Sequence, residues 1–180
     1  VEERLKDARA SYGVSKQNFY LQIARAIKER FPESWLMSDV AMDPYSSDGH
    51  DGIVQDGQIV NDLTLSILAE MAVVQADAGF DSIGPSDMMD GRVGVIRDAL
   101  DAAGHSQTAI LSYTAKYASA FYGPFRDALD SAPKHGDKQT YQMDPANRNE
   151  ALREAELDMS EGADVLMVKP ALCYLDVILA

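Results

Sequence analysis

Cysteine is almost absent from this 180-residue chain: Cys173 is the only one. A lone thiol excludes an intrachain disulfide framework and a multi-cysteine zinc site, and it suits a reducing compartment or its plastid equivalent. Basic residues are scarce as well, 16 Lys and Arg against 29 Asp and Glu, for a net charge of -13. So acidic a surface repels nucleic acid and anionic lipid, which makes any local basic cluster worth locating. No apolar run approaches the roughly 20 residues that a membrane span needs, and the opening VEERLKDARASYG lacks the apolar region of a signal peptide. Neither GxGxxG nor a P-loop occurs, which weakens nucleotide-binding readings. These absences predict a soluble protein with neither nucleic acid nor membrane as partner. With 46% hydrophobic residues, the chain still has enough apolar material for the core of a single domain spanning 1–180.

Apolar residues at Phe19, Ile23, Ala26 and Ile27 recur at helical spacing until FPE stops them, which predicts a helix over 18–30. WLMSDVAM then reads as a buried strand, followed by a polar loop over 43–61 that is too long to be merely connective. Further helices are expected over 63–78, 93–103 and 145–160, with a short one at 125–129. Strands are expected at AGFDSIG, AILSY and DVLMV. Four strands alternating with helices predict parallel β/α units, in an open sheet or a barrel, with the site at the C-terminal strand ends.

Those ends carry the chemistry. Lys116 and Lys169 each follow a β-type run and precede aromatic or proline residues. A lysine nucleophile must be a free amine, so its pKa must fall from about 10.4 through desolvation or a nearby cation. Two converging lysines could supply the second cause for each other. Ordinary surface lysines are the plain alternative. Asp39, Asp43, Asp48 and Asp51 crowd the loop SDVAMDPYSSDGHDG, where they could hold a hard cation or simply staple a solvated turn. His50 among them reads as a polar loop residue. Ser86 and Asp87 could be helix caps and nothing more, and Met88 and Met89 read as core. Arg126 and Lys138 would suit a substrate carboxylate, although exposed ion pairing is the commoner fate of such residues.

The passages SDVAMDPYSSDGHDGIV, PSDMMDGRVGVIRDALD, SYTAKYASAFYGPFRDAL, TYQMDPANRNEAL and EGADVLMVKPALCYLDVI resemble, in family order, the signatures of 5-aminolevulinate dehydratase, also called porphobilinogen synthase. The resemblance runs from Asn18 to the end. It implies a TIM-type (β/α)8 barrel, of which this chain would hold about half the strands and be incomplete at both ends. It implies a lyase of heme and chlorophyll biosynthesis, in the bacterial cytoplasm or the plastid stroma. Two 5-aminolevulinate molecules would condense through lysine Schiff bases with loss of two waters, in a homo-oligomer, usually an octamer.

Residue by residue, Lys169 matches the family's Schiff-base lysine and Lys116 the lysine of the second substrate site. Asp39, Asp43 and Asp51 match the acidic active-site loop. Ala41, Asp43 and Asp51 stand where zinc-dependent members carry cysteines, which points to the aspartate-rich, magnesium-associated class and disfavours zinc, with Asp43 and Asp51 as candidate ligands. Arg126, Lys138 and Gln142 match groups that hold one substrate carboxylate, and Ser86, Tyr122 and Phe125 the wall of the other site. Glu154 matches an allosteric magnesium ligand at a subunit contact. Cys173 departs from the pattern, standing where proline is usual. Two other readings use the same residues: an aldolase-type Schiff-base barrel, and a non-catalytic paralogue that binds metal or full-length subunits.

Overall fold

The computed structural model describes residues 1–122 and 136–180, so the helix expected at 125–129 lies outside the described residues. The first helix, α1 (Phe19–Arg30), starts where Asn18 caps it by accepting from the Tyr20 amide, and ends with Lys28 and Arg30 at the negative end of its dipole. Helices α2 (Asn61–Asp77) and α3 (Arg92–Ala102) fall within about two residues of their expected bounds. Helix α4 (Arg148–Ser160) begins three residues later than expected: Asp144 accepts the Ala146 amide in a turn that Pro145 occupies.

The loop expected over 43–61 holds a structure the apolar pattern hid. Two short strands, β1 (Ile53–Gln55) and β2 (Gln58–Val60), pair antiparallel across Asp56 and Gly57. Both turn residues have positive φ, 50° and 74°, the backbone that an Asp-Gly turn favours in a tight hairpin.

Strands β3 (Ser82–Ile83), β4 (Ala109–Lys116) and β5 (Val165–Lys169) form a parallel sheet in that order. The expected strand WLMSDVAM is not a continuous strand. It runs beside β3 through two isolated parallel bridges, Met37 to Ser82 and Val40 to Pro85. Gly84 lies between them, so close to the Ser38 carbonyl that an added Cβ would sit 2.6 Å from that oxygen, and the ladder misses a rung there.

A principal core fills the space between α2, α3 and the sheet with Val40, Met42, Leu68, Met71, Ile83, Val93, Ile96, Leu100 and Ile110, all fully buried. Truncating one, as in Leu68→Ala, costs about 2–5 kcal/mol. A smaller cluster under the end of β4 joins Ala115, Tyr117, Met143, Ala151 and Val177, the last from α5 (Leu175–Leu179). There the Tyr117 and Tyr174 rings stack at 4.1 Å. Among the described residues no helix is long and apolar enough to cross a membrane.

Candidate active site

Four chain segments end on one side of the sheet, and each delivers a polar group there. Asp39 comes from the run beside β3, Ser86 from the turn after β3, Lys116 from the end of β4 and Lys169 from the end of β5. Lys116 and Lys169 are direct partners across the parallel ladder, so their side chains leave the same face. Both ammonium groups lie over the Tyr113 ring, Lys169 Nζ at 5.0 Å and Lys116 Nζ at 5.7 Å from its centroid. Lys116 is buried and donates to the Ser86 carbonyl. Burial lowers the Lys169 pKa, and the positive charge of Lys116 lowers it further, against the opposing pull of Asp39, Asp43 and Asp51. For Lys169, then, each cause expected from the sequence operates, with desolvation the larger. Tyr113 itself stays a neutral phenol, pushed up to about 12 by burial and by the Asp39 carboxylate.

Asp39 is exposed to solvent on one side and crowded by protein on the other. That partial desolvation raises its carboxyl, and Ser86, Lys116 and Lys169 partly offset the effect. Asp43 and Asp51 are bridged by Lys138, whose Nζ donates to Asp43 Oδ2 at 2.9 Å and to Asp51 Oδ2 at 2.8 Å. Burial and the Asp51 charge push Asp43 up to about 6, while Lys138 draws it down. Asp51 goes the other way: although fully buried, it is held below the usual carboxylate range by Lys116 and Lys138. Lys138 is raised, because its two carboxylates outweigh the burial that opposes its charge.

Lys138 reaches this place because the chain at Met143 runs parallel to β4's end. The Met143 amide donates to the Lys116 carbonyl and the Ala118 amide to the Met143 carbonyl. The same contact brings in Gln142, buried, with its side-chain oxygen unpaired among the described residues. Lys138 and Gln142 line a cleft of about 280 Å³ beside Ser119. A larger cavity of about 1010 Å³ on the hairpin side is bordered by His50 and Tyr141 and holds neither lysine. Tyr141 accepts the Asp51 amide and lies 3.2 Å from His50 Nδ1. Burial and the Asp51 charge raise its phenol far above the usual range.

The structure thus brings together Asp39, Asp43, Asp51, Ser86, Lys116, Lys138, Gln142 and Lys169. Ala41 is buried in the same loop. Phe125 and Arg126 lie outside the described residues, and Tyr122 ends a 3-10 turn, Ala120–Tyr122. Glu154 sits apart, half-buried on α4. Its carboxyl is raised by burial and by the Asp158, Asp90 and Glu150 charges, against Arg92. The sequence marks neither Tyr113 nor Tyr141 beyond their places in AILSY and TYQMDPANRNEAL. Tyr113 stands three positions before Lys116, a spacing that sends two side chains to opposite faces of a regular strand.

The arrangement offers an amine with a lowered pKa, a second amine beside it, and a carboxyl that titrates near neutrality. Such a set suits imine formation with proton transfer. The profile of the delta-aminolevulinic acid dehydratase family matches residues 1–180. The chain belongs to that family. A chloroplastic delta-aminolevulinic acid dehydratase from the moss Physcomitrium patens is 58% identical over 99% of this chain and 41% of its own length. The enzyme of that name from Bradyrhizobium diazoefficiens is 58% identical over 99% of the chain and 51% of its own. The crystal structure of the Toxoplasma gondii ME49 dehydratase, in complex with the reaction product porphobilinogen, superposes with a TM-score of 0.96 at 56% identity. It covers 99% of this chain and 51% of that one. The chain spans about half the length of these family members. Its fold is that of a TIM-type barrel, of which it carries the strands described above. The match also takes in residues 1–17, ahead of the passages that carry the resemblance.

Proposed function

We propose that the protein is a porphobilinogen synthase, a hydro-lyase condensing two molecules of 5-aminolevulinate to porphobilinogen with release of two waters. The observation that carries this reading is the pairing of Lys116 and Lys169 at adjacent strand ends over one aromatic ring. The neutral amine of Lys169 attacks the substrate ketone, and expulsion of water leaves a protonated imine. That imine acidifies the neighbouring carbon, so the carbon can lose a proton and bond to the second molecule. Lys116 holds or activates this second molecule, and proximity supplies most of the advantage over solution. Asp43, titrating near 6, is suited to move protons at neutral pH. Lys138 and Gln142, together with Arg126, would hold a substrate carboxylate, and Ser86, Tyr122 and Phe125 would wall the other site.

Two carboxylates bridged by an ammonium do not fit an active-site metal: a divalent ion would have to displace Lys138 from both oxygens. No step above uses one, and the oxygen donors disfavour zinc. Among the described residues no three metal-binding side chains gather around Glu154, so a magnesium ion there would need further ligands from across a subunit contact. Burial raises the Glu154 carboxyl most, and the Asp158, Asp90 and Glu150 charges raise it further, negative charge that a hard cation would relieve. We therefore assign the chain to the aspartate-rich, magnesium-responsive class, with the ion acting at a subunit contact of a homo-octamer. Chloroplast and bacterial relatives support a plastid or bacterial cytoplasmic setting.

Incubation with 5-aminolevulinate and borohydride should place one reduced adduct on Lys169, located by peptide mass, and Lys169→Ala should abolish product formation. Normal turnover by that variant would sink the mechanism.

A further inference from the structure

The two lysines stand level only because β4 carries one residue more than β5 between two points of their ladder. Ser112 is partnered with Leu166 and Ala115 with Val168, so Tyr113 and Thr114 together face Met167. Were the same sequence paired without the bulge, the register would set Ala115 against Lys169 and turn Lys116 to the other face. The bulge also explains Tyr113. Shifting the alternation by one brings a residue three positions before Lys116 onto the lysine's own face. Bulges are rare in parallel pairs and leave backbone groups without ladder partners, so this one needs support from outside the sheet.

Arg92 supplies that support. Its Nη2 donates to the Tyr113 carbonyl at 3.2 Å and to Ser112 Oγ at 2.9 Å, and its Nη1 to the Met89 carbonyl at 3.2 Å. Ser112 Oγ in turn donates to Asp158 Oδ2 at 2.7 Å. Asp87 and Asp158 flank the guanidinium at 3.8 and 3.5 Å, and all three residues are sealed from solvent. From the other side, the Tyr113 amide donates to the Pro85 carbonyl at 3.3 Å. The bulge residue is therefore gripped at both its backbone N–H and its C=O. A cation in the first turn of α3 meets the positive end of the helix dipole, so helix stability does not account for an arginine here.

We infer that Arg92 is a positioning residue for the reaction: its guanidinium holds the Tyr113–Thr114 bulge that brings Lys116 level with Lys169 and lays the Tyr113 ring beneath both. The inference rests on the proposed function only in taking the two lysines as the reacting pair. A lysine at position 92 keeps the charge between Asp87 and Asp158, but its single nitrogen cannot reproduce a planar fork that reaches the Met89 carbonyl from one nitrogen and the Tyr113 carbonyl and Ser112 hydroxyl from another.

Difluorodinitrobenzene, a short bifunctional reagent that couples neighbouring amines, tests the register without any substrate. In the intact protein it should cross-link Lys116 to Lys169, read by peptide mass. In Arg92→Lys that cross-link should fall about tenfold and kcat about a hundredfold, while 5-aminolevulinate is still trapped by borohydride on Lys169. Failure to trap on Lys169 in the parent protein would instead count against the proposed function and leave the cross-link result standing. An Arg92→Lys protein that melts cooperatively and cross-links like the parent overturns the inference. Deleting Thr114 in the Arg92→Lys background removes the bulge while keeping Lys116 opposite Lys169, so it should restore the cross-link. If Arg92→Lys is insoluble, recovery of soluble, cross-linked protein on that deletion supports the inference. No recovery overturns it.

Discussion

Asp43, Lys138 and Asp51 form one cluster of two aspartates around a cation; Asp87, Arg92 and Asp158 form another, deeper in the same protein. The first lines the site and its cation is an ammonium, a compact charge on a long stem. Such a group can leave one carboxylate for another, including one on a substrate. The second lies behind the sheet and its cation is a planar fork that also takes two carbonyls and a hydroxyl. Both raise one aspartate to about 6, Asp43 and Asp87, but for unlike reasons. Asp43 is raised by burial and by a second carboxylate, which Lys138 only partly answers. Asp87 is raised chiefly by burial and also by the Asp51 charge, with one carboxylate oxygen unpaired among the described residues, and Arg92 answers it from 3.8 Å. The comparison teaches that the same charges serve exchange where the cation can move and register where it cannot.

The largest expected effect comes from removing each cation in turn. Arg92→Ala leaves two sealed carboxylates without a counter-charge and should cost about 3–5 kcal/mol of stability. Lys138→Ala should cost less, about 1–2 kcal/mol, because Lys138 and Asp43 are less completely sealed from solvent than Arg92 and Asp87, and should appear mainly as a raised KM. Urea unfolding at neutral pH with steady-state kinetics separates the two. Equal stability losses would break the comparison.

A sharper test uses pH. The folded pKa of Asp87, about 6, lies above the ordinary carboxylate value near 3.9, so between these the native state binds more protons than the unfolded chain. Stability from this group is fully present below about pH 4 and is lost as pH rises through 6, on the order of 3 kcal/mol in all. Asp87→Asn should flatten that slope in unfolding experiments and leave the pH dependence of turnover in place. Asp43→Asn should instead remove an inflection near pH 6 from the activity profile. A profile that keeps its inflection in Asp43→Asn would refute the proton-transfer role.

The smallest effect is expected at Glu154. It neighbours the sealed cluster, four residues before Asp158, without belonging to it. Glu154→Ala should weaken magnesium stimulation and shift sedimentation toward smaller species, with the imine at Lys169 still forming. Higher protein concentration should recover part of the activity by mass action. Unchanged sedimentation with a full magnesium response would make Glu154 a plain surface carboxylate.

Much of this was legible in the chain itself. Apolar periodicity located α1 to α4, and β-type runs ending in Lys116 and Lys169 marked the two strand-end lysines that the fold sets side by side, because burial of one helix face or of a parallel strand leaves a repeating trace in composition. The density of aspartates at 39, 43 and 51 marked the acidic wall. The hairpin at 53–60 was hidden because its runs are too short to show alternation, although Asp56-Gly57 was a usable turn signal. Lys138 was legible as a cation but not as the bridge between Asp43 and Asp51, since those partners lie far away in sequence and meet it only through the path of Met143 beside β4.

Sequence determined which groups could react. Tertiary structure decided how they face one another. A strand's own pattern sends residues 113 and 116 to opposite faces, and no local rule lets 116 choose 169 over 170 as its partner. That choice belongs to a one-residue bulge held by an arginine from another helix, and register in a parallel sheet is a property of the pair of strands and their supports, not of either strand alone.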